Sequence, residues 1–190
     1  QHCIDAADAY MKGLERRVAE GLSPDVRSVA SVFVSRWDKA VIDKAPAEMK
    51  DKLSIAVSTQ AYRDYRRLLD SDRWQRLESM GARPQRLLFA STSTKDPSAP
   101  DTLYVEALAA PNTVNTMPDK TLLAFGDHGK LSEVLSPDGG DCEETLAAFE
   151  KAGISVADLA AQLQKEGTAS FVKSWEDLLQ SIETKSKALG

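Results

Sequence analysis

The apolar residues of the first segment, Ile4, Ala7, Met11, Leu14 and Val18, fall at steps of three and four. That spacing gathers them on one helical face, which Gly21 ends. After a turn at "SPD", the run "VRSVASVFVSRWD" concentrates β-branched and aromatic residues over 29–34 and predicts a buried strand. Its end is polar, with Ser35, Arg36, Trp37 and Asp38 leading into a connection punctuated by Pro46. Over 52–69, Ile55, Tyr62, Tyr65, Leu68 and Leu69 share a helical face that no Gly or Pro interrupts. A shorter helix follows, with Asp70 or Ser71 as N-cap and Gly81 as its stop. Pro84 introduces a second strand over 86–91, and a short helix is expected over 101–109. A third strand over 112–117 stands between Pro111 and Pro118.

From there the pattern is helical. A short helix is expected over 119–125, then the loop "GDHGKLSEVLSPDGGD". Asp141 with Glu144, and Ser155 with Asp158, resemble helix-start capping pairs. A last helix from Thr168 carries Phe171, Val172, Trp175, Leu178, Leu179 and Ile182 on one side. Strands alternating with helices imply parallel pairing through crossovers. Three parallel strands close no barrel, whereas the common βα-barrel takes eight. The chain opens at Gln1 inside a helical pattern, without an initiator Met, so the reading favours the later part of a larger barrel over a small open sheet.

Composition narrows the function. With 190 residues, 42% hydrophobic and 28% charged, the chain has the balance of a globular protein. A net charge of −5 argues against a nucleic-acid partner, and the basic cluster Arg63, Arg66 and Arg67 reads as a solvated helix face. No apolar run of roughly 18 residues marks a membrane span. Two cysteines, Cys3 and Cys142, and two histidines, His2 and His128, make neither a disulfide framework nor a zinc set. Free thiols in a reducing cytosol are the expectation. Cys142, just after a candidate N-cap, is expected to have a slightly lowered pKa.

In βα proteins ligands sit beyond the carboxyl ends of parallel strands. Here those ends hold Ser31 and Arg36, then Ser91 through Lys95, then 112–116. A guanidinium fork, an ammonium and hydroxyl donors make a sensible phosphate site. The bland alternative leaves both cations solvated, or pairs Arg36 with Asp38. Lys95 as a Schiff-base nucleophile is the other candidate, although Asp96 beside it would hold the ammonium charged. His128 reads as a loop-surface histidine, and Trp37, Trp74 and Trp175 as packing residues.

The strings "SVASVFVSRWD", "GARPQRLLFASTSTKDP" and "DTLYVEALAAPNTVNTMPDKTLLAFGDHG" resemble the bacterial transaldolase family. The likeness is to its larger subclass, also found in fused transaldolase/glucose-6-phosphate isomerase proteins, and it covers nearly the whole chain. It implies a TIM-type (β/α)8 barrel, with the three strands here resembling the sixth, seventh and eighth. Residues 1–190 would then be the C-terminal portion of one barrel domain, with strands one to five absent. It further implies a cytoplasmic transferase of the pentose phosphate pathway that moves a dihydroxyacetone unit between sugar phosphates, without metal or organic cofactor. Ser31, Arg36 and Ser91 match the family's phosphate-binding residues, and Lys95 sits where the subclass has a lysine. The Schiff-base lysine and the acid/base residues belong to the missing strands, so the chain alone is expected to be inactive and its partner to be the N-terminal half of the barrel. Two other readings stay open: a non-catalytic half-barrel that binds sugar phosphates or a protein, and a simple Schiff-base aldolase.

Overall fold

The computed structural model describes residues 2–131 and 133–189. Gln1, Ser132 and Gly190, which fall in the opening helical pattern, the loop after the third strand's helix and the helical tail, lie outside the described residues. The elements run α1 (His2–Ala19), β1 (Ser28–Phe33), α2 (Ser35–Val41), a 3-10 turn (Ala47–Met49), α3 (Leu53–Leu69), α4 (Asp72–Ser79) and β2 (Gln85–Ala90). They continue with α5 (Leu103–Ala107), β3 (Thr113–Thr116), α6 (Asp119–His128), α7 (Cys142–Lys151) and α8 (Val156–Leu189).

The three strands form one parallel sheet in the order β1-β2-β3. Parallel pairing needs a crossover between strands, and α2 to α4 supply the first while α5 supplies the second. Side chains alternate across the strands: Val32, Leu87 and Phe89 are buried, whereas Val29 and Ser31 are exposed. The dense apolar run in β1 predicts a fully buried strand, yet one of its faces is open. The covered face packs with Met11 and Leu14 of α1, Tyr62 and Tyr65 of α3, and Trp74 and Leu77 of α4. Burial pushes the Tyr65 hydroxyl up to about 12. A second core joins Val41, Leu53 and Ala56 to Cys142, Leu146 and Phe149 of α7 and to Leu159 at the start of α8.

Several local expectations hold. Ser71 caps α4, its Oγ accepting from the Trp74 N–H, and Ser155 Oγ accepts from the Asp158 N–H. Others do not. Asp141 makes no side-chain cap bond. The polar residues after β1 form α2 at once, and α6 runs on through His128. The two helical patterns expected at the chain's end are one helix of 34 residues. Phe171, Val172, Trp175, Leu178, Leu179 and Ile182 share a side of that helix as expected, but all are exposed. Of the tryptophans, Trp74 is core, Trp37 borders the second core, and Trp175 is exposed.

Candidate oxyanion site at the strand ends

The β1–β2 ladder runs in register to Phe33 opposite Ala90, then continues past both strands. The Val34 N–H donates to the Ala90 carbonyl at 2.8 Å, and the Ser35 N–H to the Ser91 carbonyl at 3.1 Å. The Ser35 and Ser91 hydroxyls lie 2.8 Å apart. Ser91 sits in the left-handed region at φ 57°, which a non-glycine residue adopts only when its surroundings hold it there. Ser35 is fully buried and opens α2, so Arg36 follows on the first helical turn.

The Arg36 guanidinium lies 4.1 Å over the Phe33 ring, a cation–π arrangement. Among the described residues it makes no ion pair. The pairing with Asp38 is not formed. Asp38 is instead buried among neutral donors: it accepts from the Ser54 N–H at 3.1 Å and the Tyr104 hydroxyl at 2.7 Å. Burial first, and then the Asp38 charge, raise the pKa of the Tyr104 hydroxyl far above its ordinary value. The Asp38 N–H in turn donates to Ser54 Oγ, which donates to the Val34 carbonyl. This network fixes α2 against α3 and α5.

Ser31, Phe33 and Arg36 line a cavity of about 860 Å³ whose other wall includes Gly167, Thr168 and Phe171 of α8. Phe171 meets Phe33 edge-on with centroids 6.3 Å apart. A Cβ at position 167 would stand 3.3 Å from Arg36 Nη1, so the missing side chain lets α8 pass close to the guanidinium. Lys95 stands elsewhere. It is exposed, its Nζ donates to Ser93 Oγ at 2.7 Å, and it lines a separate small hollow with Asp38, Asp51, Asp96 and Tyr104. Asp96 bonds the Ser98 hydroxyl and N–H, and these bonds lower its pKa.

The structure thus brings Ser31 and Arg36 to one cavity and sets Ser91 against the residue before Arg36, while Lys95 lines another hollow. Ser35 and Asp38 are contributors that the residue pattern did not single out. So are Thr92 and Asn115, where a hydroxyl of the β2 end donates to a β3 amide oxygen at 2.8 Å. Their only signal in the sequence is their position at or after a strand end.

Two further expectations are corrected. The Cys142 thiol is buried, and burial raises its pKa despite the nearby Arg63. Arg63 is not solvated: its side chain is 11% exposed and pairs with Asp64 and with Glu143 of α7. His128 is at the surface, as expected, bonded to Asp101 and Asp127. Both cysteines are free thiols. Among the described residues no cluster of His, Cys, Asp or Glu is placed to hold a metal ion, and no helix is long and apolar enough to cross a membrane.

A parallel sheet with hydroxyls beyond its strand ends, and a guanidinium that makes no ion pair among the described residues, are the groups by which an α/β protein can hold an oxyanion. The family model for transaldolase/fructose-6-phosphate aldolase matches residues 1–182, and the chain belongs to that family. It is 46% identical over 184 residues to a transaldolase of Parafrankia sp. (strain EAN1pec), covering 92% of this chain and 50% of that protein. It is 43% identical to a transaldolase of Frankia alni, covering 92% and 50%, and 40% identical to one of Neisseria meningitidis, covering 94% and 51%. The chain therefore spans about half the length of these curated relatives.

Proposed function

We propose that the full-length protein containing this chain is a transaldolase, and that residues 1–190 are the portion of its (β/α)8 barrel carrying strands six to eight. It would take a dihydroxyacetone unit from sedoheptulose 7-phosphate to glyceraldehyde 3-phosphate, giving erythrose 4-phosphate and fructose 6-phosphate. A lysine outside this chain forms the Schiff base: its amine adds to the ketose C2 carbonyl and water leaves. Aldol cleavage releases the aldehyde, the enzyme-bound carbon unit adds to the acceptor, and water then hydrolyses the new Schiff base to free the product ketose and the lysine amine.

The share of this chain is a phosphate clamp of Ser31, Arg36 and Ser91; Lys95, the fourth candidate, lines a separate hollow. Donor and acceptor both carry a phosphate, so one clamp positions each in turn. The observation that carries the reading is Arg36: a guanidinium on the first turn after β1 that makes no ion pair among the described residues and shares a cavity with Ser31. On this reading the rest of the same barrel pairs with the outer edges of both β1 and β3, and the chain alone is inactive. A reducing cytosol is the setting, supported by the two free thiols. In the full-length protein, Arg36→Ala should raise KM for sugar phosphates about tenfold or more, the loss expected for charge-assisted bonds. An unchanged KM removes Arg36 from the clamp.

The family description also names an aldolase. Release of free dihydroxyacetone from fructose 6-phosphate faster than its transfer to an acceptor aldehyde would favour that second reading.

A further inference from the structure

Ser35 carries a role of its own. Its hydroxyl and that of Ser91 are 2.8 Å apart, and by distance alone either could donate. Burial breaks the tie. Ser35 is fully buried, and among the described residues its Oγ has no partner other than Ser91. If Ser91 donated, the Ser35 proton would be sealed away without an acceptor, which is costly in a dry site. If Ser35 donates, its proton is satisfied, and Ser91, which is only partly buried, keeps its own O–H for another acceptor.

We propose that Ser35 is a positioning residue that sets Ser91 as a hydrogen-bond donor, by giving its proton to Ser91 Oγ and so leaving the Ser91 O–H for a phosphate oxygen of the substrate. The proposal rests on the reading of Ser91 as a phosphate ligand. A second observation supports the arrangement. Ser91 holds a left-handed backbone at φ 57°, and the Ser35 N–H bonds its carbonyl at 3.1 Å, so Ser35 grips Ser91 at two points. Ser35→Ala removes one of them, the hydroxyl, and keeps the backbone bond.

The test is titration of inorganic phosphate into the full-length protein, as wild type, Ser35→Ala, Ser91→Ala and the double variant, with transaldolase kinetics alongside. Ser35→Ala should weaken phosphate binding about fivefold, the worth of one neutral hydrogen bond, and raise KM for fructose 6-phosphate in step while kcat changes little. The double variant should bind phosphate no more weakly than Ser91→Ala alone, because Ser35 acts through Ser91. Wild-type affinity in Ser35→Ala, additive losses in the double variant, or no phosphate binding by the wild type would overturn the proposal. Phosphate binding that follows this pattern in a protein without transfer activity would leave it standing and reject the transaldolase reading instead. Ser35→Gly, which also keeps the N–H, serves if Ser35→Ala does not fold.

Discussion

Ser35 and Asp38 lie three positions apart on α2 and face different tasks. One meets Ser91; the other anchors the helix to Ser54 and Tyr104. Because Asp38 is buried, removing one of its donors leaves a carboxylate short of partners in a dry site. Tyr104→Phe should cost about 1–3 kcal/mol of stability, read as a lower urea midpoint with an unchanged slope. A midpoint equal to wild type would show that water replaces the lost hydroxyl. His128 gives a second residue-scale prediction. Its bonds to Asp101 first, and then Asp127, raise its pKa above the ordinary histidine value, while Asp101 is lowered in return. A base raised by folding contributes stability below its unfolded pKa and loses it as pH rises through the folded value. The lowered Asp101 contributes above its unfolded pKa and loses it as pH falls through the folded one. The tie between the α5 approach and α6 should therefore hold from mildly acidic pH up to the raised His128 pKa and weaken beyond it. NMR titration of the His128 ring should show the elevated pKa, and Asp101→Asn should move it back toward the ordinary value. An ordinary value in the wild type would contradict the geometry.

Among the elements, α8 has the least support within the chain. Its first turns pack against α7 and the second core through Leu159, with Leu163 partly buried, but from Thr168 onward every described residue is exposed. An exposed apolar face of Phe171, Trp175, Leu178 and Ile182 is of the kind that marks a contact surface. The 190-residue chain on its own should self-associate in sedimentation velocity, and Trp175→Glu with Leu179→Glu should shift it toward monomer. A monomeric unsubstituted chain at tens of micromolar, by a rough estimate adequate to populate weak association, would argue against that role. The sequence made most of these elements legible because their apolar spacing is local. It concealed α2, whose seven residues begin directly at a strand end and offer too short a pattern to read. It also began the last helix at Thr168, whereas α8 runs on through Gly167, a poor helix former that lies beside Arg36.

At the scale of the whole molecule, one face of a parallel sheet is open and its two outer strands, β1 and β3, each pair on one side only among the described residues, and the chain spans about half the length of its relatives. The family was legible in strings around β1, β2 and β3, and so were Ser31, Arg36 and Ser91 as candidates. The Ser35–Ser91 pair was not. Its members are 56 positions apart and meet only through the β1–β2 register, which no local pattern encodes. Arg63 was misread for the same reason, since its partner Glu143 lies on α7. The phosphate clamp proposed for this chain is separate from the Schiff-base lysine proposed elsewhere in the protein. Borohydride trapping of the full-length protein with fructose 6-phosphate, followed by mass mapping of the labelled peptide, tests that separation directly. One adduct is expected, on a lysine outside residues 1–190, with half-labelling at a higher sugar-phosphate concentration in Arg36→Ala. An adduct on Lys95, or on any other lysine of this chain, would contradict it.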